Sequence, residues 1–194
     1  MSASNVFLNV PFDREYEPLY VAQIAALTAF GSTPRSVLEI PPHRGRLERL
    51  RTIIDGCEAS VHDLSRVELW GKPPLPRFNM PFELGLALGI HRNNHKWFIF
   101  DSKPHRMSHS LNDLGGYDPA IHEGTPEGVL RAVTNAFGRK SLKVRHDDLI
   151  TLWSALRAVV PRVRRERGSL FTRAAFEDLV VAGQKSARAH FSRK

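Results

Sequence analysis

The sequence predicts an α/β fold with an open parallel sheet covered on both faces, and three observations carry that prediction. Short apolar runs alternate with helix-period segments from residue 6 to residue 138. The runs are continuously apolar, as strands buried on both faces are. Pro and Gly punctuate the joints between them. Val6-Phe7-Leu8-Asn9-Val10 is the first strand, stopped by Pro11-Phe12-Asp13. A helix follows over about 16–30, with Leu19, Ile24 and Leu27 near one face and Gly31 as its stop. Ser36–Glu39, between Pro34 and Pro41-Pro42, is the second strand. A helix over about 46–57 carries Leu47, Leu50, Ile53 and Ile54 on one stripe, and Ala59–Leu64 is the third strand. Pro73, Pro74 and Pro76 keep 65–78 irregular. A helix over about 80–90 precedes a strand at Trp97–Asp101, and Thr125-Pro126-Glu127 opens a further helix.

The chain of 194 residues is long enough for one good-sized core or one domain with an appendage. Its lone cysteine, Cys57, excludes an internal disulfide. No apolar run is long enough to span a bilayer, and the start lacks the pattern of a signal peptide. The expected address is therefore cytoplasmic, with no membrane partner. Residues 1–138 hold 14 Lys and Arg against 15 Asp and Glu, whereas residues 139–194 hold 14 against 5. The net charge of +8 thus belongs to the C-terminal part. There, amphipathic helices near 147–160 and 171–189 form a basic appendage to the 1–138 domain. A basic helical layer can meet nucleic acid or an acidic partner. Without an aromatic stacking ladder, a solvated helix face explains it better.

In open parallel sheets, ligands bind outside the carboxyl ends of the strands, where strand order reverses. That rule selects Asn9 to Asp13, the segment His62-Asp63-Leu64-Ser65-Arg66, Asp101, and the helix start at Asn79 with Glu83. Glu83 is the one charged residue among Met80–Ile90. A helix apolar on every side is expected to be buried, and Gly85 and Gly89, four apart, would let it approach the sheet closely. In the first helical turn, Glu83 would be favoured in its ionised form by the helix dipole, partly offsetting desolvation. The same position suits a capping Glu equally well, and Asn79 suits an N-cap. Asp63 either orders the following loop or serves the site, and His62 reads as a core imidazole. No phosphate-binding glycine loop, serine nucleophile elbow or metal-spaced Cys/His set is present. His43, His91, His95, His105, His109 and His122 show no ligand spacing.

Phe82-Glu83-Leu84-Gly85-Leu86-Ala87-Leu88-Gly89, after a strand ending in Asp63, resembles the nucleoside 2-deoxyribosyltransferases. The wider resemblance is to an uncharacterised bacterial group related to those enzymes and, more distantly, to the TIR-type NAD glycohydrolases. It is carried by Phe7–Asp13, His62–Glu68 and Pro76–Gly85 and covers roughly residues 5–138. The resemblance implies a flavodoxin-like, doubly wound sheet of about five strands. It also implies N-glycosidic bond cleavage or transfer, with Glu83 as the nucleophile and Asp63 holding or protonating the leaving base. Asn9, Phe12 and Asp13 would line the base and ribose pocket, with Ser65 and Asn79 at the same edge. Arg77-Phe78-Asn79-Met80-Pro81 replaces the Asp-Pro-Gly-Thr type turn of true deoxyribosyltransferases, which weighs against deoxyribose specificity. Arg66 and Arg77 suit a phosphate, so a nucleotide or NAD fits as substrate, with no separate cofactor or metal. Relatives of both families act as anti-phage effectors, so a defence role is expected by analogy. The alternatives are a non-catalytic nucleotide sensor using the same crevice, and a scaffold whose basic helices bind nucleic acid. A homodimer or partner protein engaging those helices is a further expectation.

Overall fold

The computed structural model of the protein describes residues 4–41, 45–66, 69, 71–90, 95–138 and 144–193. Pro42, His43, Glu68, Trp70, His91 and the 139–143 boundary of the basic part lie outside the described residues. Five strands form one all-parallel sheet: β1 (Asn5–Asn9), β2 (Thr33–Ser36), β3 (Ala59–Asp63), β4 (Lys96–Asp101) and β5 (Ala120–Ile121). Their order, β2-β1-β3-β4-β5, is the flavodoxin-like one. The order reverses between β1 and β3, whose registers pair Leu8 with Val61 and Asn9 with His62.

Helices cover both faces, because each strand alternates its side chains between two apolar environments. Val6, Leu8 and Val61 enter the core under α1 (Glu17–Ala29) and α5 (Pro126–Phe137). Phe7 enters the core under α2 (Arg46–Asp55) and α3 (Asn79–Ile90). A short α4 (Arg106–Ser110) follows β4 on that second side, Met107 packing with Leu64 and Leu84. Pro34 is tolerated in β2 because β2 is an edge strand, where a missing N–H breaks no ladder bond.

The second strand lies earlier than the sequence suggests. Ser36 ends β2, and residues 37–39 turn into a 3-10 segment. There Ser36 and Glu39 form a reciprocal cap, the Ser36 N–H donating to Glu39 at 2.8 Å. Local side-chain bonding thus outweighs the β-propensity of Val37. The α5 start is as expected, Thr125 Oγ1 accepting the Gly128 N–H at 3.0 Å. The two-residue β5 and α4 carry no legible periodic pattern.

The C-terminal helices α6 (His146–Arg167) and α7 (Arg173–Phe191) form an additional layer over α1. Leu149, Leu156, Phe176 and Leu179 are continuous with the core of α1, which explains why α1 is buried from Leu19 to Ala29. Several basic residues of this layer are occupied: Arg164 pairs with Glu17, Arg167 with Asp178, Arg173 with Glu177, and Arg157 lies over the Trp153 ring. At the α1–α7 contact, a Cβ on Gly183 would stand 2.7 Å from Thr28 Oγ1. Gly183→Ala is therefore expected to destabilise the fold by about 1–3 kcal/mol through overpacking. Urea melts should show Thr28→Ala recovering most of that loss in the double variant. Among the described residues no helix is long and apolar enough to cross a membrane.

Candidate functional site

Alternation along β1 and β3 sorts the polar residues at the carboxyl edge into two groups. Asn9 and His62 share the face of Phe7, under α3. Asn9 Nδ2 donates to the Met80 carbonyl at 2.8 Å and to His62 Nδ1 at 3.0 Å, and His62 Nε2 meets Ser60 Oγ at 2.8 Å. Burial, with the His95 charge as a lesser cause, holds the His62 pKa down to about 3, so the ring is neutral.

Asp63 belongs to the opposite face. It is fully buried and accepts hydrogen bonds from Tyr16 Oη, from the Ser65 N–H at 2.9 Å and from Gln23 Nε2 at 3.4 Å. His122 Nε2 lies 3.2 Å from the same carboxylate, while His122 Nδ1 accepts the Gly124 N–H at 3.0 Å. That second bond leaves the His122 proton on Nε2, the nitrogen nearer Asp63, although the two are too poorly aligned for a hydrogen bond. Burial pushes the Asp63 carboxyl up, but the nearby His122 and the bonds from Ser65 and Tyr16 outweigh it and hold the group below its ordinary value. Burial and Asp63 in turn push the Tyr16 phenol well above its usual range. Asp63 is thus the hub tying β3 to α1 and to the chain after β5. His122 and Tyr16 give no sign of this in the sequence, because their partner lies 59 and 47 residues away. Gly128 belongs to the same arrangement: a Cβ there would stand 2.0 Å from the His122 carbonyl oxygen.

Glu83 projects from α3 and is 6% exposed. Three expectations about it change. The helix begins at Asn79, the Phe82 N–H bonding to the Phe78 carbonyl at 3.1 Å, so Glu83 sits in the second turn, past the free N–H groups. Asn79 is itself a helical residue and exposed, which removes it from the flanking N-cap position. Without those N–H groups, burial dominates and raises the Glu83 pKa to about 7, against a smaller opposing pull from Arg46. Its Oε2 is buried with no hydrogen-bond partner among the described residues. Nor is α3 buried all round: Phe82 is 53% exposed, and a Cβ at Gly85 or Gly89 would meet nothing within 4 Å. Those glycines lie on the outer face and serve no close approach to the sheet.

Asp13, Arg66 and Arg77 are brought together. Arg77 lies 3.1 Å and Arg66 Nε 3.3 Å from Asp13 Oδ2, and Arg66 also holds Glu15 at 2.6 Å. Asp13 Oδ1 accepts the Tyr16 N–H at 3.0 Å, which fixes the entry to α1. Two carboxylates therefore balance the two arginines that the sequence offered to a phosphate. Phe12 packs 5.5 Å from the Phe171 ring, partly on the C-terminal layer, and Ser65 is buried with its N–H spent on Asp63. Arg106 is the cation that the sequence did not flag. It pairs with Asp101 and donates to the Leu64 and Ser65 carbonyls at 3.2 and 2.9 Å. Arg66, Arg77 and Arg106 rim an apolar cavity of about 190 Å³ floored by Leu64, Met80 and Met107. A larger cavity of about 310 Å³ beside Trp97 and Tyr117 lies under α5, away from these groups. Among the described residues no cluster of His, Cys, Asp or Glu is arranged to hold a metal ion.

Comparison with protein-family models, with curated proteins and with solved structures finds no match to the chain.

Proposed function

We propose that the protein breaks the N-glycosidic bond of a nucleotide or of NAD, with Glu83 as the nucleophile at the anomeric carbon. The observation that carries this reading is the Glu83 carboxyl at the topological switch side of the sheet, buried, with one oxygen unpartnered among the described residues. In this scheme a Glu83 oxygen attacks C1′ as the C1′–N bond breaks, and the bonding pair leaves with the base. Water then cleaves the glycosyl ester and restores the carboxylate, releasing a proton. A cationic base such as nicotinamide leaves as a neutral molecule and needs no acid. That favours NAD over a free nucleoside, because Asp63 is committed to Tyr16, Ser65 and His122 on the other face. In this scheme Asp63 is a positioning residue that fixes the strand end. An effector role in defence against phage is compatible with NAD consumption and rests on analogy alone.

The test is incubation of the pure protein with NAD, AMP and deoxynucleosides, following free base by chromatography. Base release from NAD is expected, with kcat/KM rising with pH through an inflexion near 7 as Glu83 ionises. A rate that falls through the same range would assign Glu83 as an acid instead. Nucleotide-dependent shifts in Tm without any product would assign a non-catalytic sensor.

A further inference from the structure

We infer that the site takes a ligand that donates a hydrogen bond, from a hydroxyl or an N–H, to Asn9 Oδ1, and that His62, Ser60 and His95 are positioning residues that hold the Asn9 carboxamide in that sense. The inference rests on the proposed nucleotide site only for the choice of probes.

The direction of every bond in this buried chain follows from its two ends. At one end, a carboxamide atom of Asn9 lies 2.8 Å from the Met80 carbonyl, which can only accept, so that atom is the amide nitrogen. Its second hydrogen faces His62 Nδ1 at 3.0 Å. A neutral His62 must then carry its proton on Nε2 and donate it to Ser60 Oγ at 2.8 Å. At the other end, His95 Nδ1 lies 2.9 Å from the Cys57 carbonyl, so it bears a hydrogen. The Ser60 hydroxyl, having accepted from His62, can give its own hydrogen to His95 Nε2 at 2.9 Å. Both ends give the same polarity, and no link is left with two donors or two acceptors facing each other.

The consequence falls on Asn9. Both of its donors are spent, and rotating the amide would set oxygen against the Met80 oxygen and the His62 lone pair. Oδ1 is therefore locked as the unspent atom, buried and without a partner among the described residues. An unpaired buried acceptor costs about 1–3 kcal/mol, and such an atom calls for a group that completes it. Asn9 is the last residue of β1, at the switch point where ligands of this sheet order bind, and it is joined to α3 one turn before Glu83. A ligand presenting only acceptors at this point would meet oxygen with oxygen.

Two measurements on the full chain decide the matter. In long-range proton–nitrogen spectra of ¹⁵N-histidine-labelled protein at pH 8, His62 is expected as the neutral Nε2–H tautomer. Asn9→Asp, which exchanges the donor for a second acceptor, should move the His62 proton to Nδ1. A wild-type His62 protonated on Nδ1 overturns the assignment. In titration calorimetry, the probes are AMP, its 2′-deoxy and 3′-deoxy forms, and purine riboside monophosphate, which lacks the exocyclic amine. One of these deletions should weaken binding about ten- to a hundredfold. Asn9→Leu should erase that difference, and the deletion concerned tells a sugar hydroxyl from a base N–H. Equal binding of all four probes by the wild type overturns the inference. Should none of the four, nor NAD itself, bind, the nucleotide reading fails by itself, and the tautomer alone decides the role of Asn9.

Discussion

Glu83→Gln is expected to abolish base release while making the protein more stable above pH 7. The catalytic part follows from chemistry: an amide cannot attack C1′ and leave again, so kcat should fall at least about a thousandfold, some 4 kcal/mol. The stability part follows from linkage. A carboxyl whose folded pKa is about 7, against an ordinary value of 4.5, binds its proton more tightly in the native protein than in the unfolded chain. Its protonated form adds nothing unfavourable below pH 4.5. As pH rises from 4.5 to 7 the unfolded chain ionises first, and native stability falls. Above pH 7 the deficit levels off at about 3 kcal/mol, from about 1.36 kcal/mol per pKa unit. Gln carries no such deficit. Urea midpoints of the two proteins should therefore coincide near pH 4.5 and separate at pH 8 in favour of Glu83→Gln. A wild type whose lead over the variant grows with pH would mean that Glu83 is held by a cation, not strained by burial. A buried group kept at a cost to stability is what a functional site looks like energetically.

The second large effect is expected from Asp63→Asn. Tyr16, Ser65 and Gln23 donate to this one carboxylate, and His122 Nε2 lies 3.2 Å from it. The amide offers one acceptor in place of two and turns two further donors upon them. Breaking such a buried set should cost about 3–5 kcal/mol, read as a loss of urea midpoint at pH 7. The pH dependence has the sign opposite to that of Glu83. The folded pKa of Asp63 lies below its ordinary value, so its contribution is present above that value and is lost as pH falls through the folded one. The wild type should outdistance the variant at neutral pH and converge with it in acid. Per folded molecule, base release by Asp63→Asn should stay within about tenfold of wild type, since in the proposed scheme the carboxylate is committed to Tyr16, Gln23 and Ser65. A collapse of kcat with unchanged stability would return Asp63 to the reacting atoms.

These two carboxylates show where the sequence stops being informative. Periodicity alone is enough for an α/β parallel sheet, because apolar strands and 3.6-period helices are local patterns. Asn9, Asp13 and Asp63 are legible for the same reason, each standing at or just beyond the end of a strand. The lone acid in an apolar helix is a sequence fact. Its second-turn position is not, since Asn79 joins the helix through a bond to Phe78 that no propensity reveals. Nor does composition tell which side of a helix meets solvent, and so Gly85 and Gly89 face outward although the whole helix reads as buried.

What the sequence determined by itself is the alternation of the first four strands with helices, the strands' two-sided burial and the place of the basic charge after residue 138. Tertiary structure alone decided which polar residues meet. Period-2 alternation sends Asp63 to α1 and Asn9 with His62 to α3, and strand order brings His122 to Asp63 across 59 residues of chain. It also lays α6 and α7 over α1, using one apolar stripe of each helix and leaving the basic one outside. The physical reason is the same in each case. Local patterns are set by neighbours in the chain, whereas burial, protonation and hydrogen-bond polarity are set by neighbours in space.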